Sequence, residues 1–171
     1  MNYANIKYLD IADGTGLRTS LYVSGCTNNC PGCFNKEAQD FNYGELFTRE
    51  IEDRIIKSID QPYVLGLTLL GGDPLEPSNA DALYSFVCRF RDIYHNTKTI
   101  WVYSGYTYDY IMSLDDTDSR KMLVSLCDIM VDGRFVEELK DITLKFRGSS
   151  NQRIIDIHKS TPGSIVIADK V

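Results

Sequence analysis

Three of the chain's five cysteines, Cys26, Cys30 and Cys33, stand in a C-x3-C-x2-C array. Thiolates are soft ligands, and a cluster of them in a reducing compartment reads as a metal or iron–sulfur site. The odd total argues against a disulfide framework. Three ligands are an incomplete set. Structural zinc closes with four protein ligands, and most iron–sulfur clusters take four thiolates. Fourth partners are poor: His95 and His158 are the only histidines, and Cys88 and Cys127 lie far along the chain. Helical phasing puts Cys88 on the polar side of its helix, and Cys127 opens a strand at the edge away from the array. Spacing favours a cluster with one open iron. Zinc with a distant fourth ligand and a redox thiol centre remain the alternatives.

Three further motifs carry glycine and polar residues: Gly71-Gly72-Asp73-Pro74, Ser104-Gly105-Tyr106-Thr107 and Asp132-Gly133-Arg134-Phe135. What unites them is position. Leu17–Ser24 alternates as a strand, with Leu17, Leu21 and Val23 on one face, and the cysteine array follows it. Val64–Leu70 is nearly all apolar, as a strand covered on both faces should be. Thr99–Tyr103 and Asp128–Val131 complete the set. Each motif therefore follows the C-terminal end of an expected strand, the edge that holds active sites in parallel α/β sheets and barrels.

Helices should lie between them. Ile51, Ile55, Ile56 and Ile59 form a stripe over Thr48–Ile59, with Thr48 as N-cap. Leu83, Phe86, Val87 and Phe90 mark a helix from about Asn79 to Tyr94, capped by Ser78 or Asn79. One or two short helices fill Tyr108–Ser125. Arg153–Ile157 and Ser164–Ala168 read as a short β-hairpin around Thr161-Pro162-Gly163. The fold class is α/β with a mainly parallel sheet.

The C-x3-C-x2-C array after a strand resembles the signature of radical S-adenosylmethionine (SAM) enzymes. Ser24-Gly25-Cys26 through Cys30-Pro31-Gly32-Cys33-Phe34-Asn35 is similar to the activating proteins of anaerobic ribonucleotide reductases. So are Gly71–Leu75, Trp101–Tyr106, Val131–Phe135 and Arg147-Gly148-Ser149-Ser150-Asn151-Gln152, in the family's order. This chain has Arg134 where the family usually has lysine, and Thr15 where it usually has proline.

The resemblance implies a partial, open radical SAM-type (β/α) barrel over residues 1–153, with 154–171 as a C-terminal extension. It implies that Cys26, Cys30 and Cys33 hold three irons of a [4Fe-4S] cluster whose fourth iron is chelated by SAM. One electron from a low-potential donor such as a flavodoxin then cleaves SAM, and the 5′-deoxyadenosyl radical takes a hydrogen from a glycine of the reductase. Gly32, Phe34, Gly71, Gly72, Asp73, Ser104, Asp132 and Arg134, with Cys33, become the expected SAM contacts. Gly71-Gly72 would let carbonyls reach the SAM ammonium, Asp132 would suit the ribose hydroxyls, and Arg134 would fork onto the carboxylate. Blander roles compete. Gly71–Pro74 also suits a plain turn, Ser104 a helix cap, Asp132–Arg134 an exposed ion pair and Phe34 core packing. Arg18 suits an interior ion pair or a partner contact, and Arg147–Gln152 a loop near SAM, a docking element or a surface turn. Pyruvate formate-lyase activation and a non-enzymatic iron–sulfur or zinc module are the competing functions.

Composition bounds these readings. The chain has 171 residues, 43% hydrophobic and 25% charged, which suits one soluble globular domain. Its net charge of −6 excludes a basic nucleic-acid face over the whole domain. The stretch MNYANIKYLD has one lysine and no apolar run, and no segment approaches the ~20 residues of a spanning helix, so a cytoplasmic protein is expected.

Overall fold

The computed structural model describes residues 1–168. Seven strands form one open mixed sheet in the order β3-β1-β2-β4-β5-β6-β7. They are β1 (Asn2–Asp10), β2 (Leu17–Val23), β3 (Glu45–Leu46), β4 (Val64–Gly71), β5 (Thr99–Ser104), β6 (Ile129–Asp132) and β7 (Arg153–Asp156). The four central strands, β2, β4, β5 and β6, run parallel. Both flanks are antiparallel: β1 pairs with β2 and β3, and β7 with β6.

Four helices cover one face: α1 (Arg49–Ile59), α2 (Pro77–Tyr94), α3 (Tyr108–Met112) and α4 (Ser119–Ser125). Ile51, Ile55 and Ile59 of α1 and Leu83, Phe86, Val87 and Phe90 of α2 pack on Leu21, Leu67, Leu69, Ile100 and Val102 of the sheet. Each such side chain contributes roughly 1.5–3 kcal/mol on burial. Among the described residues the opposite face has no α-helix. It carries a second, smaller cluster of Trp101, Val131 and Ile154 with Tyr103 and Phe146 against it. Strand β2 is therefore buried on both faces from Arg18 to Val23, beyond the one face its alternation indicated.

Arg18 sits on that second face at 0% exposure. It meets neither a carboxylate nor the surface. Its guanidinium donates to Thr68 Oγ1 (2.7 Å), Leu67 O (2.7 Å), Thr99 Oγ1 (2.9 Å) and Thr99 O (2.9 Å), and it lies over the Trp101 ring. Burial lowers its pKa to about 10, which still leaves it charged at neutral pH.

Several local expectations need correction. β1 and β3 add two strands to those the periodicity indicates: β1 mixes apolar and polar residues without alternation, four of them exposed, and includes two asparagines, while β3 is only two residues long. Thr48 occupies the N-cap position of α1 without a side-chain cap bond. Helix α2 starts at Pro77, a residue pre-shaped for the first turn, so Ser78 and Asn79 lie inside it and cap nothing. Thr107, not Ser104, caps α3 by accepting from Tyr110 N. At the C-terminus only β7 is a full strand. Its partner makes bridges, with Asp156 N donating to Val166 O and Ala168 N to Ile154 O. Residues 169–171 lie outside the described residues.

Candidate functional site

The helix-free face opens into a cavity of about 490 Å³ at the C-terminal ends of the parallel strands. That volume lies within the ~300–1,000 Å³ of ordinary small-molecule sites. Cys26, Cys30, Cys33, Phe34, Gly71, Gly72, Asp73, Ser104 and Arg134 all border it. Gly32 and Asp132 do not.

The cysteine array leaves β2 and is pinned at its root. Gly25 N donates to Ala38 O (2.8 Å), Cys26 N to Gln39 O (3.1 Å), and Asp73 N to Gly25 O (2.9 Å). The glycine pair after β4 has a packing reason. Gly71 has φ +108, and a Cβ there would lie 2.7 Å from the Tyr22 and Val23 backbone. A Cβ on Gly72 would lie 2.5 Å from Gly25 O. The end of β4 and the cysteine array can approach this closely only without side chains.

Asp73 is the junction of the site. At 1% exposure, its Oδ1 accepts from Leu75 N (2.9 Å) and Ser104 Oγ (2.8 Å), and its Oδ2 from Gly105 N (2.9 Å) and Asn28 Nδ2 (2.9 Å). One carboxylate thus joins the ends of β4 and β5 to the array. Burial, outweighing these hydrogen bonds, raises its pKa to about 6. Ser104 is committed to this network, since its oxygen also accepts from Tyr106 N (3.1 Å).

Asp132 faces inward at 1% exposure. It accepts from Tyr108 N (2.7 Å) and from both Nε and Nη2 of Arg153. Its partner is thus Arg153, not Arg134. Arg134 lines the cavity and has no ion pair among the described residues. Gly32 is a turn residue at φ +66, close against Glu137. Phe34 is 66% exposed, edge-on to Phe135 and under the Lys140 ammonium, so it is not core. Gln152 fixes the Arg147–Gln152 segment on the cavity rim. Its Oε1 accepts from Gly148 N and Ser149 N, while its Nε2 donates to Gly133 O (3.0 Å).

Sequence reading missed Glu76 and Asn79. Glu76 Oε1 accepts from Thr27 N and Oγ1 (2.7 Å each), and Asn79 donates to the carbonyls of Ser24, Gly25 and Asp73. A carboxylate and an amide at the start of an apolar helix were the available signal.

The donor set suits an iron–sulfur cluster: three thiolate-forming side chains, all in free, half-buried cysteines, border one cavity. Burial raises the Cys26 thiol to about 11 and also raises Cys30, so ligation must displace their protons. On the same cavity, the Tyr103 hydroxyl is buried without a hydrogen-bond partner among the described residues.

A family model described as a 4Fe-4S single cluster domain matches residues 12–155. A relative from Escherichia coli (strain K12) is 42% identical over 155 residues, 89% of this chain and 96% of that protein. One from Vibrio cholerae is 38% identical, covering 90% and 97%. One from Enterobacteria phage T4 is 33% identical, covering 90% and 93%. All three are named anaerobic ribonucleoside-triphosphate reductase-activating protein. With the cluster-domain match spanning the cysteine array and every motif at the cavity, the chain belongs to the family of anaerobic ribonucleoside-triphosphate reductase-activating proteins.

Proposed function

We propose that this chain is a radical SAM activating enzyme that generates a glycyl radical on an anaerobic ribonucleotide reductase. The observation that carries the reading is the placement of Cys26, Cys30 and Cys33 around one cavity with Gly71–Asp73 and Arg134. Cys26, Cys30 and Cys33 would hold a [4Fe-4S] cluster and leave one iron for SAM. When bound, cluster and SAM supply the one-electron cleavage chemistry that the glycine radical requires.

The chain's own groups position and shield. Gly71 and Gly72 present bare backbone to the cavity, Arg134 offers a guanidinium without an ion pair among the described residues for the SAM carboxylate, and Phe34 offers an aromatic face. Asp73 and Ser104 tie the ends of β4 and β5 to the array, and Asp132 ties β6 to β7 through Arg153. The parallel strands with helices outside and cavity inside support a partial, open radical SAM barrel. Its open side would admit the reductase's glycine to near-contact, about 3–3.5 Å between reacting carbons. The protein would work in the reducing cytoplasm with a low-potential donor such as a flavodoxin.

The test is anaerobic. Reconstituted protein, SAM, a strong reductant and the cognate reductase should give a glycyl radical resonance, absent when the reductase glycine is replaced by alanine. Cleavage of SAM with a radical-free reductase, and activation of pyruvate formate-lyase instead, would overturn the reading.

A further inference from the structure

Cys26 is treated differently from the other two array cysteines. Asn28 directs its Nδ2 at Cys26 Sγ, 3.5 Å away. Of the three, Cys26 alone receives a side-chain donor among the described residues. The same nitrogen donates to Asp73 Oδ2 at 2.9 Å, and an amide NH2 has one proton for each acceptor. Asp73 decides which way the amide points. Flipped, the Asn28 oxygen would face a carboxylate oxygen that already accepts from Gly105 N. Asp73 is itself locked by Leu75 N and Ser104 Oγ. Room is tight on the other side as well: a Cβ on Gly105 would come within 2.4 Å of Asn28 Nδ2. The amide therefore has one seat and one orientation, with an N–H toward sulfur.

We propose that Asn28 is a positioning residue for the electron-entry step: its N–H, aimed by Asp73, donates to the Cys26 sulfur and raises the reduction potential of the cluster held there. This rests on the cluster-binding reading of Cys26, Cys30 and Cys33. Hydrogen bonds to the sulfurs are among the terms that set such potentials. Reduction adds one electron, supplied by the low-potential donor, and no proton moves. The sulfurs become more electron-rich, so an N–H···S bond strengthens in the reduced state and favours it. The contact makes a very low-potential centre easier for its donor to reduce.

The experiment is a redox titration of the reconstituted protein without SAM, followed by the paramagnetic resonance of the reduced cluster. Iron and sulfide are quantified in parallel. Asn28→Ala removes the side-chain donor, and Asn28→Ser keeps a small polar residue while losing the reach to sulfur. Both should carry wild-type iron yet titrate at more negative potential. At a fixed potential near the wild-type midpoint, the reduced-to-oxidised ratio should fall about two- to tenfold, the equilibrium worth of one hydrogen bond. An unchanged midpoint in either fully loaded variant overturns the proposal. Loss of the cluster from both variants, with wild type loaded, also overturns it and makes Asn28 a scaffold residue. Failure of the wild-type protein to take up iron and sulfide is a different result, and it sinks the cluster reading itself.

Discussion

Two carboxyls on the cavity side, Asp73 buried and Asp13 half-buried, set the chemistry of single residues, and they differ in what holds them. Asp73 accepts four donors and presents none. An asparagine there must turn an NH2 toward two of those donors in either orientation. We expect Asp73→Asn to cost about 2–3 kcal/mol through donors left unsatisfied, read as a lower urea midpoint of the apoprotein, and to slow iron uptake by the freed array. Unchanged stability would mean that the network re-forms around the amide. Asp13, by contrast, accepts from the Tyr22 hydroxyl and adjoins Asp10, and burial, helped by Asp10, raises its pKa to about 6. A raised carboxyl binds its proton more tightly in the folded state. Its contribution to stability is therefore full below its unfolded pKa near 4 and is lost as pH rises through about 6. Wild type should thus gain stability relative to Asp13→Asn when the pH is lowered from 7 to 5, measured by paired urea titrations. A constant difference between the two proteins would show that Asp13 does not titrate there.

At the scale of elements, the ends of the strands matter more than their middles. Asp132 ends β6, Arg153 begins β7, and their ion pair ties the antiparallel flank to the parallel core while also meeting Tyr108 N at the start of α3. Asp132→Asn should lower stability by about 1–2 kcal/mol: the buried carboxylate loses its charge toward Arg153 and Tyr108 N, while Asp109 keeps a charged partner on the part-exposed Arg153. SAM affinity should fall little once the folded fraction is accounted for. A large loss of affinity with unchanged unfolding would return Asp132 to direct contact with the ribose. This pair also shows what sequence could and could not supply. The unbroken apolar run of β4 and the helix-period isoleucine stripe of α1 are legible in the sequence, as is the gathering of Gly71–Asp73, Ser104 and the cysteines at one sheet edge. The polar partners are not. Asp132 stands two residues from Arg134 in sequence, yet the register of β6 on β7 delivers Arg153 to it from 21 residues away. Arg18 likewise finds neutral acceptors on β4 and β5: the register sets it against Gly66, itself paired with Thr99, and the guanidinium reaches Thr68 and Thr99. Strand β1 shows no apolar alternation for a related reason: among the described residues its outer side is free beyond its two-residue pairing with β3, and Asn5, Lys7, Tyr8 and Leu9 are exposed.

For the whole molecule, the asymmetry of the two sheet faces is decisive. One face is closed by four helices, while the other keeps an open cavity rimmed by exposed apolar residues, Ile142 at 91% and Phe34 at 66%. Large side chains left in water beside a cavity mark a surface that something covers. On the proposed function the cover is the reductase, whose glycine must enter by the open side. A cluster bordered by Cys26, Cys30 and Cys33 would then be reachable by a small hydrophilic chelator in the free protein and screened in the complex. We expect iron extraction from the reconstituted protein by such a chelator to slow at least several-fold when the cognate reductase is added under anaerobic conditions. The slowing should saturate with reductase and should not occur with an unrelated protein of similar size. Addition of SAM alone should slow extraction less, since it fills part of the cavity and leaves the mouth open. Equal extraction rates with and without bound reductase would place the partner elsewhere on the molecule, and the open face would then need another occupant.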